Sequence, residues 1–391
     1  MLRSLYSGIS GLRSHQTMLD VTGNNIANVN TTAFKSSATQ FQDTLSQMTA
    51  GAAGPQANAG GTNPAQIGLG VQVAGISTNF AQGSAQATGR STDMMISGDG
   101  FFVVNVNGET LYTRAGSFDP DAAGRLVANG AILQGWPAVN GVIQTGGAIG
   151  NITLPLDAIA DAIATTSATV GGNLPADAEV GDVITRTRQA YDADGNASEL
   201  TLTFTRTAAG WDVAGDDGNG GIGTSTLEFT DGALTAGGAL TLSGAGITID
   251  LSAMTGFAGL TTAAISGQDG RSAGTLETFT LSKDGTLIGS FSNGASEAIG
   301  RIALANFTNP GGLEKAGNST YRATFNSGNA EMGTPGEGAL GTLTAGALEM
   351  SNVDLSQEFT NLIVAQRGFQ ANARIITTSD EVLQELTNLK R

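Results

Sequence analysis

Residues 348–391, LEMSNVDLSQEFTNLIVAQRGFQANARIITTSDEVLQELTNLKR, decide how the chain is organised. Leu355, Leu362, Phe369, Ile376 and Leu383 recur every seven residues, and Phe359 falls at the half-step. A heptad spacing without proline predicts a helix of about 36 residues, ~54 Å long at ~1.5 Å per residue, with one narrow apolar seam. Ser351 or Asn352 is placed to cap its start, with Asp354 three residues after Ser351, close to a capping box. A globular domain seldom needs so long a helix, so its seam requires a partner.

The other stretch of this kind lies at the far end of the chain. Within residues 4–27, Leu5, Ile9, Leu12, Leu19 and Ile26 fall on one side of a helix, with Gln16 at the missing heptad position. Gly8, Gly11 and Gly23 each lower helix propensity by ~1 kcal/mol relative to alanine, so this segment is expected to be fixed by its neighbours. Asn24, Asn25, Asn28 and Asn30 weaken the helix, and the chain turns off it around 28–33. Residues 34–50, with Phe34, Phe41, Leu45 and Met48, suit another short amphipathic piece. Residues 50–68 have linker composition in isolation and become an extended arm when packed.

Short apolar runs then predict strands at Val71–Ile76, Met94–Ile96, Phe101–Val106 and Leu111–Tyr112, with Asn107-Gly108 a hairpin turn. Asn129-Gly130 marks another turn. Residues 141–275 carry 15 acidic residues and 4 arginines, a net −11 out of −16 for the whole chain. So acidic and turn-rich a block reads as a β domain projecting into solvent. Strand signals return at Leu276–Leu281, Leu287–Phe291, Ile302–Phe307 and Tyr321–Phe325, as partners for the 71–135 set. The expected fold is multidomain and mainly β, with long N- and C-terminal helices pairing as a coiled-coil-like core around nested, discontinuous β domains. Its parts are 1–33 with 352–391 (paired helices), 34–70 (linking arm), 71–140 with 276–351 (discontinuous β domain) and 141–275 (inserted acidic β domain).

The chemistry is that of a structural protein. Net charge −16 repels nucleic acid and anionic membrane, and no apolar run of ~20 residues offers a membrane span. Cysteine is absent, which removes disulfides, thiolate catalysis and cysteine-ligated metal. The sole histidine, His15, reads as a polar or interfacial helix residue, with no second histidine to form a metal site. Asp192, Asp194 and Asn196 imitate the start of a calcium loop, but Gly195, Ala197 and Thr203 break its pattern and an Asp-Gly turn is the better account. Asp216 and Asp217 read as a solvated loop. No catalytic residue, cofactor site or metal site is expected, and the chain is not expected to be an enzyme.

Several motifs resemble the flagellar rod and hook family. Ser10-Gly11-Leu12, Leu19-Asp20-Val21, Asn24-Asn25-Ile26-Ala27-Asn28, Asn30-Thr31 and Phe34-Lys35 are similar to its amino-terminal signature, and Gly368-Phe369-Gln370-Ala371-Asn372 to its carboxy-terminal one. Gly68-Leu69-Gly70-Val71, Asn79-Phe80, Gln82-Gly83 and Gly98-Asp99-Gly100-Phe101-Phe102 are similar to the hook branch in particular. Ala33 departs from the pattern, which usually has glycine before the Phe-Lys pair. The resemblance implies a flagellar hook subunit, extracellular and attached to the basal body, exported without a cleaved signal peptide by the flagellar type III export apparatus. It implies a homopolymer forming a curved tube, a universal joint with a central channel. Its partners would be the distal rod protein, the hook-filament junction protein and the hook cap. The terminal helices would be the inner core, 71–140 with 276–351 the middle shell and 141–275 the outer one. Two other readings remain at this point: a distal rod protein, which shares both terminal signatures, and a secreted β-rich binding module, which leaves the terminal heptads unexplained.

Overall fold

The computed structural model describes residues 2–388 apart from 56–59, 140, 155–158 and 245. The chain is mainly β with one long helix at each end, and it forms two compact units. The first comprises Met1–Leu154, Thr280–Ile288 and Ala298–Arg391; the second comprises Pro155–Phe279 and Gly289–Glu297.

In the first unit, α1 (Leu2–Ala27) is followed by β1 (Ser37–Asp43), β2 (Ser46–Ala50), β3 (Ala65–Gly68) and β4 (Val71–Thr78). β1 pairs antiparallel with β4, and β2 with β3. Residues 34–50 therefore do not form the expected amphipathic piece. Thr39 lies opposite Ile76 and Phe41 opposite Val73, so pairing across the arm overrides the local helical spacing. Within the glycine-rich 50–68 stretch, Ala53 and Thr62 form an antiparallel bridge that prolongs the β2–β3 hairpin.

β5 (Ala85–Ala87), β6 (Met94–Ser97), β7 (Phe101–Val106) and β8 (Glu109–Thr113) follow. Asn107 and Gly108 both have positive φ, 51° and 89°, the two-residue turn that Asn-Gly predicts. Each of these four strands pairs with the returning chain: β5 with 347–349, β6 with 342–345, β7 with 304–306 and β8 with 320–322. β7 also pairs with Ala131–Val139. Its Phe101–Val104 are all buried, which is why it reads as a continuous apolar run rather than an alternation. Phe101, Tyr112, Trp136, Phe307 and Tyr321 pack on one side of it, with Tyr112 and Phe307 edge-to-face at 4.7 Å. Phe102 and Phe118 meet edge-to-face at 5.5 Å.

The last element of the first unit, α2, spans Leu355–Asn388. Asp354 caps it: its Oδ1 accepts the N–H of Ser356 at 2.8 Å and of Gln357 at 3.3 Å. Ser351 and Asn352, the expected caps, lie too far from the first turn. The Ser351 hydroxyl instead accepts the Val353 N–H.

The second unit holds a sheet ordered 183–191, 197–206, 211–216, 222–230, 233–236, 248–255, 167–173 and 264–268, with 167–173 parallel to 248–255. Leu200, Leu202, Phe204, Trp211, Val213, Leu227, Ile249 and Leu251 build its core. This unit does not begin at 141 as the composition change suggests, because 142–143 and 150–151 pair with Ala131–Val139 of the first. Asp217 is not solvated: it is buried, and its Oδ1 accepts the N–H groups of Asn219 and Gly221. Asp192 Oδ1 accepts those of Asp194 and Asn196, a turn of the kind aspartate makes with its own backbone.

Asp269 closes the edge of this sheet. Partial burial pushes its carboxyl up, but hydrogen bonds from the hydroxyls and N–H groups of Thr166 and Ser167 outweigh this and hold it at about 2. A folded pKa below the unfolded value of about 3.9 contributes stability that is complete above pH ~4 and lost as pH falls toward 2. Because the carboxylate is exposed, solvent screening limits that contribution to about 1 kcal/mol. Asp269→Asn is therefore expected to lower the second unit's unfolding midpoint at pH 7 and to make it less sensitive to pH between 4 and 2. Denaturant titrations followed through Trp211 at several pH values check this.

Candidate functional site: the helix pair and its buried ionic junction

α1 and α2 run antiparallel, side by side. Gly8 lies against Asn372, Ile375 and Ile376, Gly11 against Asn372, and His15 against Gly368. The apolar rows read from the heptads flank this contact. Leu5, Ile9, Leu12, Leu19 and Ile26 are half-buried, as are Leu362, Phe369, Ile376 and Leu383, whereas Leu355 and Phe359 are exposed. The line buried deepest in α1 consists of small or polar residues: Gly8, Gly11, Thr22 and Asn25, with Ser14 beside them. In α2 it is Glu358 and Ala365. A β-carbon on Gly11 would lie 2.6–2.8 Å from the Asn372 amide, and one on Gly368 2.5–2.8 Å from the His15 ring. Glycine therefore lets the two backbones approach closely. The helix-weakening effect that sequence reasoning assigned to Gly8 and Gly11 omitted this second role.

The asparagines end α1 and tie it to the arm. Asn28 donates its side-chain amide to the Asn24 carbonyl at 2.9 Å and accepts the Thr31 hydroxyl at 3.0 Å. The buried Asn25 grips one residue of β1 from both sides, donating to the Ser37 carbonyl at 2.8 Å and accepting its N–H at 3.0 Å. Nearer the start of α1, the Ser10 hydroxyl accepts the Val71 N–H from β4, and Phe41 of β1 meets the His15 ring edge-on at 5.7 Å.

Between Asn25 and β1 the chain enters a buried ionic junction. Ala33, 1% exposed, adopts φ +57°, a left-handed conformation that costs a non-glycine residue ~1–2 kcal/mol. This accounts for the glycine that the resembling family usually carries there. Phe34 packs under Lys315, whose Nζ stands 5.2 Å from the ring centre. Lys35 is fully buried, with Nζ 2.6 Å from Glu349 Oε1 and donating to the Ala81 carbonyl at 2.9 Å. Glu349 Oε1 also accepts the Gly83 N–H at 2.8 Å, and its other oxygen stands 3.6 Å from Arg114 Nη1. Arg114 donates to the Gly98 carbonyl and lies over the Phe101 ring at 5.3 Å. Asn352 completes the junction, accepting the Ser36 N–H and donating to the carbonyls of Asn79 and Ala81. Three distant segments, 33–37, 79–84 and 349–352, are thus held in one register where the helices leave the β strands.

Burial lowers the affinity of Lys35 for its proton, opposed by the hydrogen bond and charge of Glu349. Burial acts in the same direction on Arg114, again opposed by Glu349. Beside them, burial and the Glu349 charge push the Tyr321 hydroxyl up to about 12, Arg114 opposing. A buried pair of this kind contributes little net stability but strongly penalises loss of one partner, which makes it a device for fixing geometry. Sequence reasoning identified Lys35 within its signature and missed Glu349, Arg114 and Asn352. The available signal was the acid in the apolar run Ala347-Leu348-Glu349.

A second apolar row on α2 stays largely uncovered by the described residues. Leu355, Phe359, Ile363, Val364, Ile375, Val382 and Leu386 are all exposed, as are Leu45, Met48 and Ile67 on the β2–β3 hairpin. Among the described residues, no group of three or more histidine, aspartate or glutamate side chains is placed to hold a metal.

Three family descriptions match successive parts of the chain. "Flagella basal body rod protein" covers 5–35, "Flagellar hook protein FlgE/F/G D1 domain" 95–171 and "Flagellar basal body rod FlgEFG protein C-terminal" 344–389. The chain is 40% identical to a flagellar hook protein FlgE of Borreliella burgdorferi over the whole of both chains. It is 37% identical to that of Salmonella typhimurium, covering 99% of this chain and 100% of that one. A flagellar basal-body rod protein FlgG of Bacillus subtilis is 34% identical, again over the whole of both chains. A crystal structure of Helicobacter pylori flagellar hook protein FlgE2 matches with 14% identity and a TM-score of 0.49, covering 68% of this chain and 100% of that one.

Proposed function

Because the chain belongs to the flagellar hook protein family, whose members are structural subunits and not enzymes, we propose that it polymerises into a curved tube transmitting torque from rod to filament. The observation that carries this reading is the exposed apolar row of α2. A monomer gains nothing by exposing Phe359, Ile363, Val364 and Val382, whereas neighbouring copies packed around a channel would cover them. The half-buried rows Leu5, Ile9, Leu12, Leu19 and Ile26, and Leu362, Phe369, Ile376 and Leu383, then complete a coiled-coil-like inner wall, with Leu355 and Phe359 facing the next subunit.

In this reading residues 1–33 with 352–391 are the inner core, 34–70 the linking arm, 71–154 with 276–351 the middle shell and 155–275 the outer shell, the boundary lying beyond 141 because 142–143 and 150–151 pair with Ala131–Val139. Net −11 in that last block keeps the polymer soluble. Bending comes from axial sliding between shells whose own folds stay rigid, and the Lys35–Glu349–Arg114 junction prevents torque from being absorbed where helix meets strand. The tube is extracellular, and its subunits pass through the flagellar type III export apparatus to meet the distal rod protein, the hook cap and the hook-filament junction protein.

The rod reading keeps one observation in its favour, the full-length match to a basal-body rod protein. Chain length therefore does not separate the two. Curvature does: electron microscopy of purified protein polymerised in high salt is expected to show curved tubes, and straight tubes alone would favour the rod. Deletion of 352–391 is expected to leave a soluble, folded β protein that forms no tubes. Normal tubes from that truncation would refute the helix-wall assignment.

A further inference from the structure

Phe325 is wholly exposed, at 110% of its reference area, so its ring touches nothing of its own chain. It does not sit on a loose loop. Residues 324–327 form a turn closed by Ser327 N–H to the Thr324 carbonyl, with the Thr324 N–H donated to the Ser327 hydroxyl and that hydroxyl, itself buried, donated to the Thr324 carbonyl. The Thr324 hydroxyl bonds the Gly312 carbonyl at 2.6 Å, and Asn309 binds the Asn326 carbonyl at 2.9 Å. A large apolar side chain presented on so heavily bonded a turn has already lost the conformational freedom that binding would otherwise cost.

The same unit carries a cavity of about 270 Å³, lined by Asn28, Thr31, Phe34, Lys315 and Tyr321 among others. It is smaller than the roughly 300–1,000 Å³ of small-molecule sites and suits a single aromatic ring. Lys315 at its edge is exposed as a residue, but local desolvation lowers its affinity for a proton; it donates to the Ser37 hydroxyl at 2.9 Å and already faces the Phe34 ring. Its ammonium, partly stripped of water, favours a second ring over it. The cavity takes residues 317–321 from the tip side of the 314–317/320–322 hairpin, while Phe325 follows the open end of that hairpin. A knob and a hole at different places on one surface make a head-to-tail contact, the kind that propagates into open helical filaments.

We infer that Phe325 of one copy docks into the cavity lined by Phe34, Lys315 and Tyr321 of the next. This rests on the reading that the chain forms a homopolymer, and it assigns one contact of that polymer. The chain has no cysteine, so full-length protein carrying Phe325→Cys and Thr31→Cys has only the two thiols to be tested. Oxidised after polymerisation, the double variant is expected to give a ladder of covalent multimers that neither single variant gives. Phe325→Ala is expected to raise the critical concentration for polymerisation roughly tenfold or more, as loss of a buried aromatic anchor does, with an unchanged melting curve. Lys315→Met should raise it less. Wild-type protein that forms no tubes would overturn the homopolymer reading and this contact with it. Wild-type tubes accompanied by an unchanged critical concentration for Phe325→Ala, or by cross-linked product confined to monomer, would overturn the Phe325 contact alone.

Discussion

Glu349→Ala is expected to destabilise the first unit by ~3–5 kcal/mol, the cost of leaving buried charge without its counter-ion. The carboxylate serves three groups at once: Lys35 at 2.6 Å, the Gly83 N–H at 2.8 Å and Arg114 at 3.6 Å. Its removal strands two buried cations, and Lys35 with no exposed side-chain surface has no route to water. Lys35→Met should cost less, because Glu349 keeps Arg114 and the Gly83 N–H. The double change Lys35→Met with Glu349→Leu should recover part of the loss but not all, since Arg114 remains. The chain's two tryptophans make the measurement selective: Trp136 lies in the first unit and Trp211 in the second. In a Trp211→Phe background, denaturant unfolding followed by fluorescence reports the first unit. A larger loss for Lys35→Met than for Glu349→Ala would show that Glu349 is not the hub of the junction.

The junction also shows where sequence reading stops. Lys35 and Glu349 stand 314 positions apart, and nothing local tells either residue of the other. Features set by neighbours along the chain were legible: the heptads of both helices, the Asn107-Gly108 turn, and the run Phe101–Val106, which is β7 residue for residue. Features set by distant pairing were not. Phe34, Phe41, Leu45 and Met48 stand at a spacing compatible with helix, and only the register of residues 37–43 against β4 makes that part a strand. Capping failed for a subtler reason. Ser351, Asn352 and Asp354 are all good caps, and Asn352 is withdrawn from that role because it binds Asn79 and Ala81 across the junction. The helix seam divided along the same line. Period located the apolar rows, but the distance between helix axes depends on glycines whose effect is visible only once both helices are present.

That distance underlies the second large effect. Gly11→Leu and Gly368→Leu are each expected to raise the critical concentration for tube formation roughly tenfold to a hundredfold while both β units keep their melting curves. A leucine at Gly11 would place its first carbon within 2.6–2.8 Å of the Asn372 amide, and at Gly368 within 2.5–2.8 Å of the His15 ring, with the rest of the side chain still to be housed. Overpacking of this order costs ~1–3 kcal/mol, and each 1.4 kcal/mol multiplies an assembly constant by about ten. Gly8→Ala is the control. Its added carbon would stand 3.4 Å from Ile375 and Ile376, an ordinary contact, and alanine gains ~1 kcal/mol of helix propensity over glycine. It should therefore assemble at least as well as the wild type. If all three glycines mattered only through helix propensity, leucine would help as alanine does, and the three variants would change assembly in the same direction. Opposite signs for Gly8→Ala and Gly11→Leu, read by sedimentation of polymer across a concentration series, distinguish close backbone approach from helix propensity as the reason these residues are glycine.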